Sequence, residues 1–455
     1  MTKNMLTTAT EPARVSPTGT IRTKPQTLRK VTLAASVGSA IEYFELVIYG
    51  AMAPYLAEVF FPSDDRTAAL LSTFVVFAIA FFARPLGGLI WGPIGDRVGR
   101  KKALVAIIIL MSLSTAVIGI LPGFDAIGPL APVLLVLMRL LQGISAGGEM
   151  PGAATLVGEY APNDRRGLQT SFLHWGVVSG QILALLVGAA LAIGIPAEQM
   201  QAWGWRLPFL LAIPLGAVAL VIRSRVDESP VFERLAALST ARENPLRTLL
   251  TTARGWRMLG RTAFINLPAS VPAYMLMTFM PAFLQNSLGF GSWQALMAVL
   301  AGVLFTFLFV PLSGTLSDRI GRRRILFALC LLQLVLAWPT FAMLTSGNAA
   351  LAVLGLVLLG TMNGTAIGAQ SAPLLETFPT SIRYSGYALA LGLSTALIAG
   401  PTPYVATWLV DTTGSTMAPM WLIIGCAVPS LIGSLFLRET AGKPLVTDLS
   451  PSDAP

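Results

Sequence analysis

Twelve apolar stretches follow one another along this chain, at 31–56, 68–94, 103–121, 130–158, 168–194, 206–223, 260–286, 293–316, 325–345, 349–375, 384–410 and 417–437. Roughly 20 mostly apolar residues suffice to cross about 30 Å of hydrocarbon. Lipid offers no partner to unpaired backbone N–H and C=O groups, so spanning segments are helices or closed barrels. Barrel strands alternate over about ten residues. These stretches are longer and continuously apolar, which predicts helices. Only 12% of the residues are charged, against about 25% in soluble proteins.

A charged loop occurs twice. Residues 92–102 read GPIGDRVGRKK and residues 314–324 read GTLSDRIGRRR. Gly92/Gly314, Asp96/Asp318, Arg97/Arg319, Gly99/Gly321 and Arg100/Arg322 are identical, at an offset of 222. Glu159, Pro162 and Arg166 recur 217 residues later as Glu376, Pro379 and Arg383. Two similar membrane halves are the layout of a secondary transporter. The expected organisation is a tail at 1–30, probed by no apolar run and rich in Thr and Pro; a six-helix bundle at 31–223; a polar, arginine-rich linker at 224–259; a second bundle at 260–437; and a tail at 438–455.

The net charge of +9 does not indicate nucleic acid. With a cytoplasmic N-terminus, all but Arg66, Arg84, Arg139 and Arg206 of the 31 Lys and Arg residues fall in the tails or the loops on one side. This positive-inside bias predicts both termini in the cytoplasm. Cys330 and Cys426 lie in predicted spans and form neither a disulfide framework nor a metal pattern. One histidine, His174, excludes a His-rich metal centre, and the glycine patterns lack the context of a nucleotide site. No cofactor and no metal are expected.

Four blocks of the first half narrow the reading: GSAIEYFELVIYG (38–50), FARPLGGLIWGPIGDRVGRKK (82–102), RLLQGISAGGE (139–149) and GWRLPFL (204–210). With the duplicated loop, the chain resembles the major facilitator superfamily, and these blocks resemble its metabolite:proton symporter family. That resemblance implies a carrier of the citrate, 2-oxoglutarate, shikimate or proline/betaine type. Ser39 stands where the family usually has Asn, and Glu45 where it usually has Asp.

Ionisable groups inside spans are costly and mark pathways. Gly38, Glu42, Glu45 and Tyr49 form one helical stripe. Two neighbouring carboxylates raise each other's proton affinity, so Glu42, Glu45 and Glu149 are the expected proton-coupling groups; structural pairing with arginines is the alternative. Arg139, Gln142, Ala146 and Glu149 share one seam of the fourth span. A buried guanidinium demands an anion, and Arg139 has no counterpart at Leu356. Arg139, Arg84, Gln142 and Tyr49 are the expected substrate contacts. Arg206, after Trp203 and Trp205, reads as an interfacial anchor. Asn266, Tyr274, Gln285, Asn363 and Gln370 are polar groups for substrate bonding or helix packing. Asp96, Arg97, Gly99, Arg100, Asp318, Arg319, Gly321 and Arg322 are the expected gate: Asp96 can cap the following helix or pair with a basic residue of a neighbour.

The fold expected is therefore an all-α integral membrane protein of twelve transmembrane helices in two pseudo-symmetric six-helix bundles. The function expected is proton-coupled symport of a small organic anion or zwitterion across the cytoplasmic membrane, by a monomer in the bilayer without nucleic acid. The alternative is a proton antiporter exporting a drug or metabolite.

Overall fold

The computed structural model describes residues 14–15, 21–22, 25–63, 66–224 and 249–445. Residues 225–248 of the expected linker and most of both tails fall outside them, and the end of that linker, from Ala253, already belongs to a helix. Among the described residues, eleven helices are long and apolar enough to cross a membrane, and a shorter apolar helix makes the twelfth. We number them α1 (Pro25–Ala51), α2 (Arg66–Arg97), α3 (Arg100–Ile120), α4 (Leu130–Tyr160), α5 (Arg166–Gly194), α6 (Gly204–Ser224), α7 (Ala253–Asn286), α8 (Ser292–Ile320), α9 (Arg322–Leu344), α10 (Ala349–Glu376), α11 (Arg383–Thr413) and α12 (Met420–Leu435).

The helices pack as two equivalent sets. In the first, α1 lies on α5 and α2 on α4; in the second, α7 lies on α11 and α8 on α10. Two seams join the sets, α5 against α8 and α2 against α11. Small residues set the helix spacing. A Cβ at Gly143 of α4 would stand 1.9 Å from the Ala80 carbonyl oxygen of α2, and one at Gly147 would stand 2.2 Å from that of Arg84. The same contacts recur as Gly360 against Gly302 and Gly364 against Thr306, between α10 and α8. Without a hydrophobic driving force between helices in lipid, such close backbone approach supplies the packing. Arg84 is thus fixed in height by Gly147, while its counterpart in the second half is an uncharged threonine.

The halves differ in regularity. Both α7 and α11 carry a π-helical turn, Met275–Phe279 and Thr395–Ala399. Proline marks the same regions, with Pro268 and Pro272 before the first and Pro401 after the second. Those turns leave the ordinary hydrogen-bond ladder by one residue.

Three boundary readings change. The first helix begins at Pro25 rather than 31, since polar residues at its start still continue the ladder. Trp205 is fully buried and is not part of an interfacial belt; Arg206 stacks on it at 4.3 Å and donates to the Leu121 carbonyl at 2.6 Å. Arg223, counted with the basic residues of the loops on one side, is buried within the first bundle.

Candidate functional site

A cavity of about 50 Å³ lies between the two bundles. Tyr43 of α1, Arg84 of α2, and His174 and Gln181 of α5 line it from the first bundle. Asn266 and Tyr274 of α7, Asn363 and Gln370 of α10, and Tyr387 of α11 line it from the second. Arg84 carries the one fixed charge among the described lining residues. Its guanidinium reaches Glu42 at 3.3 Å and lies 4.5 Å over the ring of Phe81. Phe81 in turn meets the Tyr274 ring edge-on at 5.0 Å, and Tyr43 and Tyr274 are within electrostatic reach of Arg84. The side-chain amide oxygens of Gln181, Asn363 and Gln370 are buried without a hydrogen-bond partner among the described residues. Buried polar atoms are almost always bonded, so three open acceptors around one cavity are what a ligand site requires. His174 bonds Ser371 at 2.9 Å across the boundary between bundles.

A second polar set is enclosed within the first bundle. Glu45 accepts from the hydroxyls of Thr115 and Ser112 on α3. Gln142 of α4 donates to Thr115 at 2.5 Å and accepts from Arg139 at 2.7 Å. The Arg139 guanidinium lies 4.1 Å over the Tyr49 ring. Thus Glu45, Thr115, Gln142 and Arg139 form one chain. Glu149 is separate: it accepts from Arg223 at 2.8 Å, at a point where Gly38 leaves room for it.

The structure therefore divides the sequence-derived candidates. Arg84 lines the central cavity; Arg139, Gln142 and Tyr49 do not. Glu42 contacts the cavity arginine, whereas Glu45 belongs to the enclosed chain. Asn266, Tyr274, Asn363 and Gln370 converge on the cavity, while Gln285 lines a separate vestibule of about 870 Å³ with Tyr55 and Glu58. Tyr43 and Tyr387 were not singled out from sequence. Tyr43 follows Glu42 directly, so it falls off the stripe that periodicity selects.

At the other end, around the duplicated loops, the bundles are locked together. Glu159 accepts from Arg100 of its own half at 2.8 Å and from Arg383 of the other half at 3.1 Å. Glu376 does the same with Arg322 at 3.3 Å and Arg166 at 2.8 Å. Asp318 pairs with Arg322 at 2.8 Å and accepts the backbone N–H groups of Gly167 and Leu168 at 2.8 Å each. It caps a helix, but that helix is α5 of the opposite bundle. Gly99 and Gly321 take φ of 119° and 108°, a region open to glycine, and turn the chain into α3 and α9. Arg319 is exposed, and the side chains of Asp96 and Arg97 lie outside the described residues.

A family model described as Major Facilitator Superfamily matches residues 35–401. The chain belongs to the Major Facilitator Superfamily. Among curated relatives of this superfamily, the glycine betaine/proline/ectoine/pipecolic acid transporter OusA of Dickeya dadantii is 38% identical over 428 residues, covering 92% of this chain and 85% of the relative. The proline/betaine transporter of Escherichia coli is 36% identical with the same coverage. Of the solved structures, the proton:xylose symporter XylE bound to 6-bromo-6-deoxy-D-glucose superposes with a TM-score of 0.74 at 19% identity, over 92% of this chain and 98% of that one. This superfamily member is a multi-pass membrane transporter and not an enzyme.

Proposed function

We propose that this protein is a proton-coupled symporter of a small zwitterionic metabolite of the betaine or proline type, working by alternating access in the cytoplasmic membrane with both termini inside. The observation that carries this reading is the charge of the central cavity: one guanidinium, already half-neutralised by Glu42, ringed by tyrosines and open amide oxygens. A cargo carboxylate fits Arg84, which presents a planar fork. A cationic nitrogen fits the faces of Tyr43, Tyr274 and Tyr387. A polyanion such as citrate would leave charge without a partner there. The names of the similar betaine and proline carriers support the same class.

The cavity is too small for such a cargo as it stands: about 10–15 Å³ of such space holds one water, so about 50 Å³ holds only a few. Loading requires the bundles to part. The vestibule on the outer side and the ion-pair lock around the loops make this an outward-oriented, centrally closed conformer. Gly99, Arg100, Asp318, Gly321 and Arg322 act as the gate, together with Asp96, Arg97 and Arg319. Glu45, held by two hydroxyls and coupled to Arg139 through Gln142, is the leading proton carrier; Glu42 links the proton step to Arg84, and Glu149 is a structural partner of Arg223.

Purified protein in liposomes tests the reading. Radiolabelled glycine betaine and proline should accumulate when the lumen is alkaline and cease to do so with a protonophore. Accumulation of citrate, 2-oxoglutarate or shikimate in place of the zwitterions would overturn the cargo class, and accumulation indifferent to the protonophore would overturn the coupling.

A further inference from the structure

A groove of about 270 Å³ opens at the loop end of the second bundle, between the start of α7 and the end of α12. Its walls are Phe264 and Gly433 along the helices and Phe436 and Leu437 at the end of α12, with Arg257 and Arg261 at its mouth. Arg257 and Arg261 are one helical turn apart on α7 and share a face. Arg438 lies within electrostatic reach of Arg261, as does Arg257. Among the described residues, no salt bridge is formed by any of the three. The acid next to Arg438 is engaged elsewhere: Glu439 accepts the N–H groups of Arg322 at 2.9 Å and of Ala441 at 2.9 Å.

Three like charges held together cost free energy unless an anion joins them. The apolar part of the groove suits an anion that carries a hydrocarbon chain better than a wholly water-soluble one. Phe436 is 76% exposed, and Trp256, beside Arg257, is 57% exposed. Aromatic residues of this kind mark the level of lipid headgroups, and basic pockets between transmembrane helices bind anionic headgroups. From the convergence of three arginines that have no acidic partner among the described residues with an open apolar groove at the headgroup level, we infer that α7 and α12 hold an anionic phospholipid, its phosphate on Arg257, Arg261 and Arg438 and an acyl chain against Phe264 and Phe436. This site is separate from the cavity, and the inference does not depend on the cargo. It has a mechanical consequence, because Arg261 precedes the cavity residue Asn266 by five residues, about 7.5 Å along α7. A lipid bound there grips the helix whose upper part faces the cargo.

The test is native mass spectrometry of the full chain released from mixed phosphatidylcholine and phosphatidylglycerol vesicles. Wild-type protein should retain phosphatidylglycerol selectively. Arg257→Gln/Arg261→Gln/Arg438→Gln should lower that retention by at least about tenfold, since each arginine near an anionic surface contributes on the order of 1 kcal/mol. The corresponding triple Lys variant should keep most of it. Excess inorganic phosphate should not displace the lipid; displacement by phosphate alone would make this a free-anion site and overturn the lipid assignment. If the triple Gln variant does not fold, Arg438→Gln alone lies beyond the end of α12 and should give a smaller loss in the same direction. Retention equal to wild type in the folded variant would also overturn the inference.

Discussion

Arg383 of the second bundle donates to Glu159 of the first at 3.1 Å. The counterparts of these residues in the repeat, Arg166 and Glu376, pair in the opposite sense at 2.8 Å. The lock is therefore two copies of one exchange, each closed by a further arginine of the same half as its glutamate. Glu159→Gln should leave Arg100 and Arg383 facing each other without their anion. Breaking a buried pair costs about 3–5 kcal/mol, so the loop end should open. A cysteine placed at buried Ser317 in a Cys330→Ser/Cys426→Ser background should then label several-fold faster from the loop side. Unchanged labelling would remove the lock from the gating cycle.

Glu45→Gln should abolish accumulation against a gradient while leaving exchange of preloaded cargo. Thr115 and Ser112 can still bond the amide, so the fold should survive. Uptake measured with and without an imposed pH gradient separates the two modes. Retention of gradient-driven accumulation would move the proton step to Glu42.

Arg84→Lys keeps a charge but loses the fork, and should raise KM for a carboxylate-bearing cargo by about tenfold or more. Arg139→Lys should instead alter the pH profile of uptake, because Arg139 joins Gln142 outside the cavity. Equal KM changes in both variants would contradict that division.

Gly147→Val places a branched side chain where even a Cβ stands 2.2 Å from the Arg84 carbonyl. The α2–α4 contact must separate, so thermal stability should fall by on the order of 1–3 kcal/mol, as for other overpacked sites. Cargo affinity should fall with it, since Arg84 moves. Melting and binding assays on the same preparation read both.

Glu439 sits beyond the end of α12 and caps the start of α9. Burial pushes its carboxyl upward, but the N–H groups of Ala441, Arg322 and Arg323 outweigh this and hold it below the ordinary carboxylate range. Its stabilisation is thus present above the unfolded-state value and lost as the pH falls through the lower folded value. Glu439→Gln should lower thermal stability at neutral pH, with the difference from wild type vanishing under acid conditions. A difference that persists in acid would show that shape rather than charge matters there.

Much of this architecture is legible in the sequence because hydropathy and repetition are local properties. The duplicated loop announces two halves, and the offset linking Glu159 to Glu376 and Arg166 to Arg383 is visible in the chain. What the chain does not display is that these residues pair crosswise, since pairing depends on the rotation of one bundle against the other. Arg223 shows the same limit: it ends a span and precedes a polar stretch, so it reads as a loop residue, yet it turns inward to Glu149. The stripe on α1 gathers Glu42 and Glu45 correctly onto one helix. Only the neighbouring helices decide that Glu42 meets Arg84 and Glu45 meets Thr115.

The two π-helical turns occur in α7 and α11 alone among the described spans, close to Tyr274 and Thr395 at the cavity. The buried carboxylates and arginines of the proposed coupling chemistry lie in the opposite bundle. One half thus carries that chemistry, while both departures from the regular helical ladder sit in the other. A change of cargo therefore has to be written in both halves at once, since Arg84 stands in one and Asn363, Gln370 and Tyr387 face it from the other.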